Sequence, residues 1–405
     1  MKKVFFAVIA AILVCSCSSP SDLVTLNRSE IQKVRKGIRA GKAEYMPAYE
    51  ALIQKADGLL SAEPLAVTMQ EIAPPSGDKH DYMSRGTYWW PDPTKPDGLP
   101  YIRRDGVYNP ENQKIPADRY LKTTCANVNT LVQAFYFSGD EKYAQKAAEL
   151  LRVFFLNPET KMNPNLKYGQ AIPGICEGRS IGIIDTHILG QTVDALILLE
   201  DSKAWTDEDA KALKAWFKEY NTWMLESEIG KEEGIQKNNH GTAYDFQVCA
   251  YAIYCGEPEI AVKQLENVSR DIRMDQQFPA DASQPLELAR TNSWGYSTMN
   301  TNIWVELIHT AKNLGIDVWQ WKNKEGVGVK EAIEWFFPYI RKEKPWVKED
   351  ISKTIGSGNL HNAFRCYCKQ FCPEKYDELI ATLDSYTNDN YNFETAVGNL
   401  LYPIK

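Results

Sequence analysis

The sequence has no excess of positive charge, since 46 lysines and arginines stand against 53 aspartates and glutamates and the net charge is −7. Proteins that bind nucleic acid rely on clustered lysine and arginine side chains to neutralise phosphates. The composition therefore argues against nucleic acid as a partner. It stays compatible with an anionic polysaccharide wherever positive charge is concentrated locally.

The N-terminus lacks a hydrophobic run long enough to cross a membrane. The apolar residues 4–14 follow two lysines and are too few for a stable transmembrane helix. This arrangement is typical of a signal peptide. Residues 14–17 read Val-Cys-Ser-Cys and resemble a bacterial lipobox, in which the last cysteine is acylated after cleavage.

We therefore expect residues 1–17 to be a signal peptide, Cys17 to carry a lipid, and residues 18–405 to form one domain. The protein would then be a periplasmic or outer-membrane lipoprotein of a Gram-negative bacterium. It would contact the membrane only through this anchor. Simple secretion without a lipid is the alternative.

A disulfide framework is also missing. Seven cysteines remain after Cys17, an odd number within apolar segments, and they are Cys125, Cys176, Cys249, Cys255, Cys366, Cys368 and Cys372. The last three are close in sequence but cannot all face one point on a helix, and only His361 lies near them. Buried, unreactive thiols are therefore favoured over a metal site.

Strand-like alternation is almost absent, and helical periodicity takes its place. Apolar residues recur at three-to-four spacing in successive segments of 13 to 20 residues, separated by short breaks such as Ser-Gly-Asp at 138–140. Successive pairs predict antiparallel helix hairpins, so we expect an all-α fold, an α/α toroid built as an incomplete barrel. An open solenoid is the rival, but no fixed repeat period supports it.

One long segment breaks this pattern. Residues 64–118 are rich in proline, glycine and aromatic residues, and they include Tyr88, Trp89 and Trp90. Loops of this length are functional or disordered, and the aromatic content argues against disorder. We therefore expect a long aromatic-rich functional loop near the N-terminus.

A second unusual stretch stands directly before an apolar helix. Residues 238–242 read Asn-Asn-His-Gly-Thr, and asparagine favours helix caps. Asn238 or Asn239 would be the N-cap, with His240 in the first turn. Free N–H groups and the helix dipole favour an anion at such a position, and a substrate carboxylate is the obvious candidate. Two more polar loops, residues 168–180 and 287–297, would complete a cleft.

These residues resemble a known family. The motif at 238–242 is similar to that of the alginate lyase domain of polysaccharide lyase family 5, and residues 80–93, 101–106 and 174–185 resemble the wider group that includes family 38. The resemblance covers about residues 65–310. It implies an α/α toroid that cleaves uronic acid polymers by β-elimination, with an anionic polysaccharide as partner and no metal or other cofactor.

The resemblance also implies roles for single residues. Asn239 and His240 match the family's catalytic pair, Tyr296 its catalytic tyrosine and Arg290 its carboxylate-binding arginine. The expected substrate-binding residues are Arg179, Tyr88, Trp89, Trp90, Asn238, Gln170 and Asn292. Arg179 could instead pair with Glu177 or Asp185, and His80, His187, His309 and His361 are expected to be structural.

The expected chemistry is syn elimination. A uronate loses its C5 proton only when its carboxylate is neutralised, and in mannuronate and glucuronate polymers that proton and O4 lie on one face. Tyr296 could then serve as base and acid in turn, provided that a cation lowers its pKa and His240 supports it. The rivals are a glycoside hydrolase using Glu177 and Asp245, and a binding protein presenting Trp89, Trp90 and Trp294.

Overall fold

The computed structural model of the protein describes residues 23–351, 360–384 and 389–404, so the predicted signal peptide and Cys17 lie outside the described residues. Helices dominate these ranges, as expected. The α-helices are α1 (Arg28–Arg39), α2 (Met46–Leu59), α3 (Ala117–Ser138), α4 (Glu141–Leu151), α5 (His187–Leu199), α6 (Asp207–Glu226), α7 (Glu228–Gly234), α8 (Asn239–Tyr254), α9 (Pro258–Gln264), α10 (Met274–Gln277), α11 (Pro285–Leu288), α12 (Ser293–Asn313), α13 (Val329–Glu334), α14 (Phe337–Ile340), α15 (Leu360–Phe371), α16 (Tyr376–Asp384) and α17 (Asp389–Leu401).

Four short strands lie in or beside the polar loops. Strand β1 (Met83–Arg85) pairs in parallel with β4 (Tyr168–Ala171), and β2 (Trp89–Trp90) pairs antiparallel with β3 (Ile102–Arg103). The long aromatic segment is therefore ordered by a hairpin and by a strand that joins it to the loop at 168–180. This arrangement holds both loops against the same end of the helical body.

The helices form a ring. Helices α3, α5, α8, α12 and α15 pack side by side in that order, and α17 and α2 continue the series back to α3. Helix α4 covers α3, and α6 and α9 cover α8, as an outer layer. The run Ser180–Leu199 is long and apolar enough to cross a membrane, but two-thirds of it is buried inside the molecule. The α/α toroid expected from the helix pairs is confirmed.

The first described residues are fastened inside this ring. The buried Asp194 of α5 accepts hydrogen bonds from the backbone N–H groups of Val24, Thr25 and Leu26. The side-chain amide of Asn313, the last residue of α12, donates to the carbonyl oxygens of residues 23, 24 and 26. The chain therefore enters the fold at the C-terminal end of α12.

Helix α12 begins earlier than the apolar pattern indicates. We expected a loop up to residue 297 and helix from residue 301, but the helix starts at Ser293 with Asn292 as its N-cap. Residues 293–300 are mostly small or polar and give no periodic signal, yet Trp294 is buried against Phe336 and Trp346. Tertiary packing here overrides a weak local preference.

Candidate active site

A cleft of about 840 Å³ opens at one end of the ring. It is bounded by the first turns of α8, by α12, and by the hairpin and polar loops that cover this end. The predicted residues that line it are Asn238, Asn239, His240, Tyr296, Arg290, Arg179, Gln170, Tyr88 and Trp89. The structure therefore brings together nine residues from four segments that lie far apart in sequence.

The cleft collects the N-terminal ends of the inner helices. Its lining includes Lys122 of α3, His187 of α5, His240 of α8 and Tyr296 of α12, each in the first half of its helix. The positive ends of four helix dipoles therefore point towards one cavity. An anionic ligand is favoured there even though the whole chain is acidic.

Asn238 and Asn239 form different hydrogen bonds at the N-terminus of α8. Asn238 is the N-cap, and its side-chain oxygen accepts from the N–H of His240 at 3.2 Å. Asn239 is fully buried, and its backbone N–H and side-chain amide both donate to Glu287, each at 2.7 Å. Burial raises the pKa of Glu287, against the lowering effect of these bonds. The sequence reasoning missed Glu287, although an acidic residue three positions before Arg290 was a signal.

His240 is held by a buried carboxylate. Its Nδ1 lies 2.9 Å from Oε1 of Glu233, which has no exposed surface. Burial raises the pKa of Glu233, and His240 opposes that shift. In this pairing Nδ1 of His240 carries a proton and donates a hydrogen bond to the carboxylate of Glu233, so Nε2 is the nitrogen that can exchange a proton. Glu233, seven residues before His240, was also missed.

The Tyr296 hydroxyl lies between another phenol and a guanidinium group. It is 2.9 Å from the hydroxyl of Tyr88 and accepts from Nη2 of Arg290 at 2.9 Å. Burial raises the pKa of Tyr296, the bond with Tyr88 raises it further, and Arg290 lowers it by less. The expected lowering of this pKa is therefore wrong, because burial outweighs the effect of Arg290. His240 is not among the hydrogen-bond partners that the described residues give Tyr296.

Arg290 already has a carboxylate partner. Its Nη2 and Nε donate to Asp105 at 2.8 and 3.2 Å, and the N–H and hydroxyl of Thr291 donate to the same carboxylate. Burial alone would raise the pKa of Asp105, but Arg290 and Arg103 hold that pKa well below its usual range. The charge of Arg290 is therefore balanced before any substrate arrives. Asp105, in the loop after β3, was not foreseen.

Arg179 braces the cleft wall through an amide. It donates to the backbone and side-chain oxygens of Gln170 at 3.1 and 2.9 Å, and its guanidinium lies 5.9 Å from the ring centre of Trp89. Gln170 in turn donates to Asp185 at 3.0 Å. Neither ion pair suggested from the sequence, with Glu177 or with Asp185, is formed among the described residues.

Two predicted substrate-binding residues do not line the cleft. Successive side chains of a strand point to opposite faces, so Trp89 faces the cavity while the indole N–H of Trp90 donates to the carbonyl of Val107. Asn292 serves as the N-cap of α12. Trp294 is 4% exposed, so it cannot present a face to a glycan as the binding-protein alternative requires.

The carboxylate pair of the hydrolase alternative is not assembled. Asp245 has no exposed surface and forms an ion pair with the buried Arg273 at 3.1 Å. Glu177 lines a separate pocket. His187, which was expected to be structural, lies in the cleft wall, where its Nε2 is 2.7 Å from Glu306.

Comparison with known proteins places this site in context. Residues 66–346 match a family model described as alginate lyase. An alginate lyase from Bacteroides ovatus shares 38% identity, with 95% of this chain and 99% of that chain covered and a TM-score of 0.86. No match was found among curated proteins.

More distant structures share the fold alone. Alginate lyase A1-III from Sphingomonas species A1 is 14% identical with a TM-score of 0.54, covering 95% of this chain and 99% of that chain. A variant of the same lyase complexed with a tetrasaccharide is 12% identical with a TM-score of 0.58, covering 95% and 96%.

Proposed function

The chain belongs to the alginate lyase family, and on that basis we propose that it cleaves β-1,4-linked mannuronate or glucuronate polymers by syn β-elimination. The relatives named above are alginate lyases, which supports a polysaccharide lyase acting on an anionic polymer. The observation that carries the proposal is the Tyr296 hydroxyl, held between Tyr88 and Arg290 beside the mouth of α8.

The first requirement of the reaction is neutralisation of the uronate carboxylate. Asn239 and His240 stand at the N-terminus of α8, where the helix dipole favours negative charge. Arg290 and Arg103 are both paired with Asp105, and Lys122 is paired with Asp118. We therefore assign the remaining positive charge to Arg179, which lines the same cleft and donates to Gln170 and not to a carboxylate. This assignment replaces the direct carboxylate contact first expected of Arg290.

Tyr296 then moves the proton. Its phenolate takes the C5 proton, the electron pair forms the C4–C5 double bond, the C4–O4 bond breaks, and the phenol returns the proton to O4. The raised pKa means that the resting phenol must first lose its proton. Arg290 and Tyr88 are both placed to donate to the resulting phenolate and so stabilise it.

A substrate screen tests the proposal. Purified protein is mixed with polymannuronate, glucuronan, polyguluronate and pectin, and ultraviolet absorbance follows the unsaturated uronate that only elimination creates. We expect activity on the first, the second or both. Guluronate and galacturonate place the C5 proton and O4 on opposite faces, so a strong preference for either would contradict a single-tyrosine mechanism.

We also propose that the protein is exported and acylated at Cys17. The support is the lipobox-like sequence at residues 14–17, which lies outside the described residues. An enzyme that is held at a membrane while it depolymerises its substrate would release its products close to the cell.

A further inference from the structure

Helix α1 is a basic element in an acidic protein. Residues Arg28–Arg39 contain five basic side chains and one acidic one, whereas the whole chain has a net charge of −7. The buried face of the helix consists of Ile31, Val34, Gly37 and Ile38. Its exposed face carries Lys33, Lys36 and Arg39, and none of these three forms an ion pair within the described part of the chain. The positive charge is therefore available to a partner.

This basic face lies at the end of the ring opposite the cleft. Arg28 is 4.0 Å from Asp201, just beyond the C-terminus of α5, and the guanidinium of Arg35 lies 4.9 Å from the ring centre of Tyr136, near the C-terminus of α3. The N-terminal halves of α3 and α5 line the cleft. Since α3 has 22 residues and a helix rises about 1.5 Å per residue, the two ends are about 30 Å apart.

The chain also enters the fold at this end. Asp194 and Asn313 form hydrogen bonds with residues 23–26. Asn313 is the last residue of α12, whereas Tyr296, in the first turn of the same helix, lies at the cleft end. Only residues 18–22 separate Cys17 from the fastened segment. Even fully extended, the link from Cys17 to Leu23 spans only about 20 Å. A lipid at Cys17 would therefore keep helix α1, and not the cleft, close to the membrane.

We propose that the exposed face of helix α1, formed by Lys33, Lys36 and Arg39, binds the surface of a membrane that contains anionic phospholipids. A short acyl tether combined with a basic patch supplies the two signals that stable membrane attachment needs. In this orientation the cleft faces away from the bilayer, where a long polymer can reach it. Repulsion between the membrane and the acidic remainder of the chain favours the same orientation.

Vesicle binding tests the patch without depending on the lipid. The Cys17→Ser chain is mixed at about 20 mM salt, where screening is weak, with vesicles of phosphatidylglycerol and phosphatidylethanolamine or of phosphatidylcholine alone. We expect binding to the anionic vesicles only, and loss of that binding as salt increases. Combining Lys33→Glu, Lys36→Glu and Arg39→Glu should weaken it at least about tenfold.

A matched variant controls for net charge. Lys211→Glu, Lys231→Glu and Lys263→Glu change three exposed lysines on α6, α7 and α9 by the same total charge, and this variant should keep its affinity within about twofold. Lyase activity on soluble oligosaccharides confirms that both variants are folded, because neither set touches the cleft. Equal weakening in the two variants would mean that only net charge matters and would overturn the proposal.

The same variants separate a membrane from a polysaccharide as the partner. If the α1 variant binds anionic vesicles like its parent but loses affinity for polymannuronate, the patch is a polysaccharide site and the proposal is wrong. In the acylated protein on vesicles, amine-reactive labelling should be lower at Lys33 and Lys36 than at Lys211. Equal labelling of these lysines would place α1 away from the membrane and would also overturn it.

Discussion

At the scale of single residues, Tyr296 decides whether the proposed reaction can occur. Tyr296→Phe keeps the ring but removes the phenol hydroxyl that lies within hydrogen-bond distance of both Arg290 and Tyr88. Turnover should fall by more than the ~10²–10⁴ typical of one acid or base step, while oligosaccharide binding persists. If the Tyr296→Phe protein has the same unfolding temperature as the parent and still keeps more than about a tenth of parental turnover, the barrier has changed by less than ~1.4 kcal/mol. That result would assign the base role to His240.

The same phenol sets the expected pH dependence. Its pKa is raised, so the reactive phenolate is a minor form near neutrality and its fraction increases with pH. The logarithm of kcat/KM should therefore rise with a slope of about one per pH unit from neutral into the alkaline range, as long as the protein stays folded. If Tyr296 were only the acid, its phenol would stay protonated over the same pH range because its pKa is raised, and its titration would produce no such rise.

Glu287 is expected to position Asn239. Glu287→Gln replaces one of the two accepting oxygens by an NH2 donor, so one of the two Asn239 donors loses its acceptor and faces another donor, which disturbs the present orientation of Asn239. We expect kcat to fall about tenfold or more, a barrier change of ~1.4 kcal/mol, in a protein that still folds. In an Asn239→Ala background the same change should have little further effect, because the residue it positions is gone. Additive losses in kcat would instead indicate a purely structural role for Glu287.

At the scale of elements, the β2–β3 hairpin is joined to α12 through Asp105. This carboxylate binds Arg290 and Thr291 just before the helix, so it sets the position of the hairpin relative to Tyr296. Asp105→Asn should raise KM and lower kcat, together by about tenfold or more in kcat/KM, because the hairpin loosens and Arg290 loses its balancing charge.

Asp92→Asn is the matched control for this hairpin. Asp92 lies in the loop of the same hairpin, and among the described residues its carboxylate accepts from the backbone N–H and the hydroxyl of Thr94, two positions away. Its backbone carbonyl accepts from the N–H of Lys95. Steady-state kinetics on one oligosaccharide should therefore leave Asp92→Asn close to the parent. Similar kinetics for the two variants would show that the Asp105 link does not position the site.

The sequence predicted some elements far better than others. The cap and first turn of α8 were predictable because Asn238 and His240 act within a few residues of each other. Glu287 and Asp105 were not assigned to the site, since each reaches its partner through packing of segments 48 and 185 positions apart. Glu233 is near His240 in sequence but lies on the separate short helix α7, so no helical spacing links the two residues. The start of α12 was missed for a related reason: the small and polar residues 293–300 become helical inside the ring, where burial outweighs the missing periodicity.

At the scale of the whole molecule, the location of the enzyme depends on Cys17. If this residue carries a lipid, Cys17→Ser should move the protein from the membrane fraction to the soluble fraction, because no acyl chain remains to insert. Cys15→Ser changes a neighbouring cysteine of the same segment and should leave the protein with the membrane. Identical fractionation of both variants would favour simple secretion.

The two ends of the described chain meet inside the ring, and this sets the order in which the molecule can be completed. The hydroxyl groups of Thr25 and Tyr402 lie 2.9 Å apart although 377 positions separate them in sequence. Closing so long a loop costs chain entropy that only the finished helical body can offset. Asp194 and Asn313 can hold the leading residues before then, but the contact with Tyr402 forms only once the chain beyond α17 is present, so the ring is closed last.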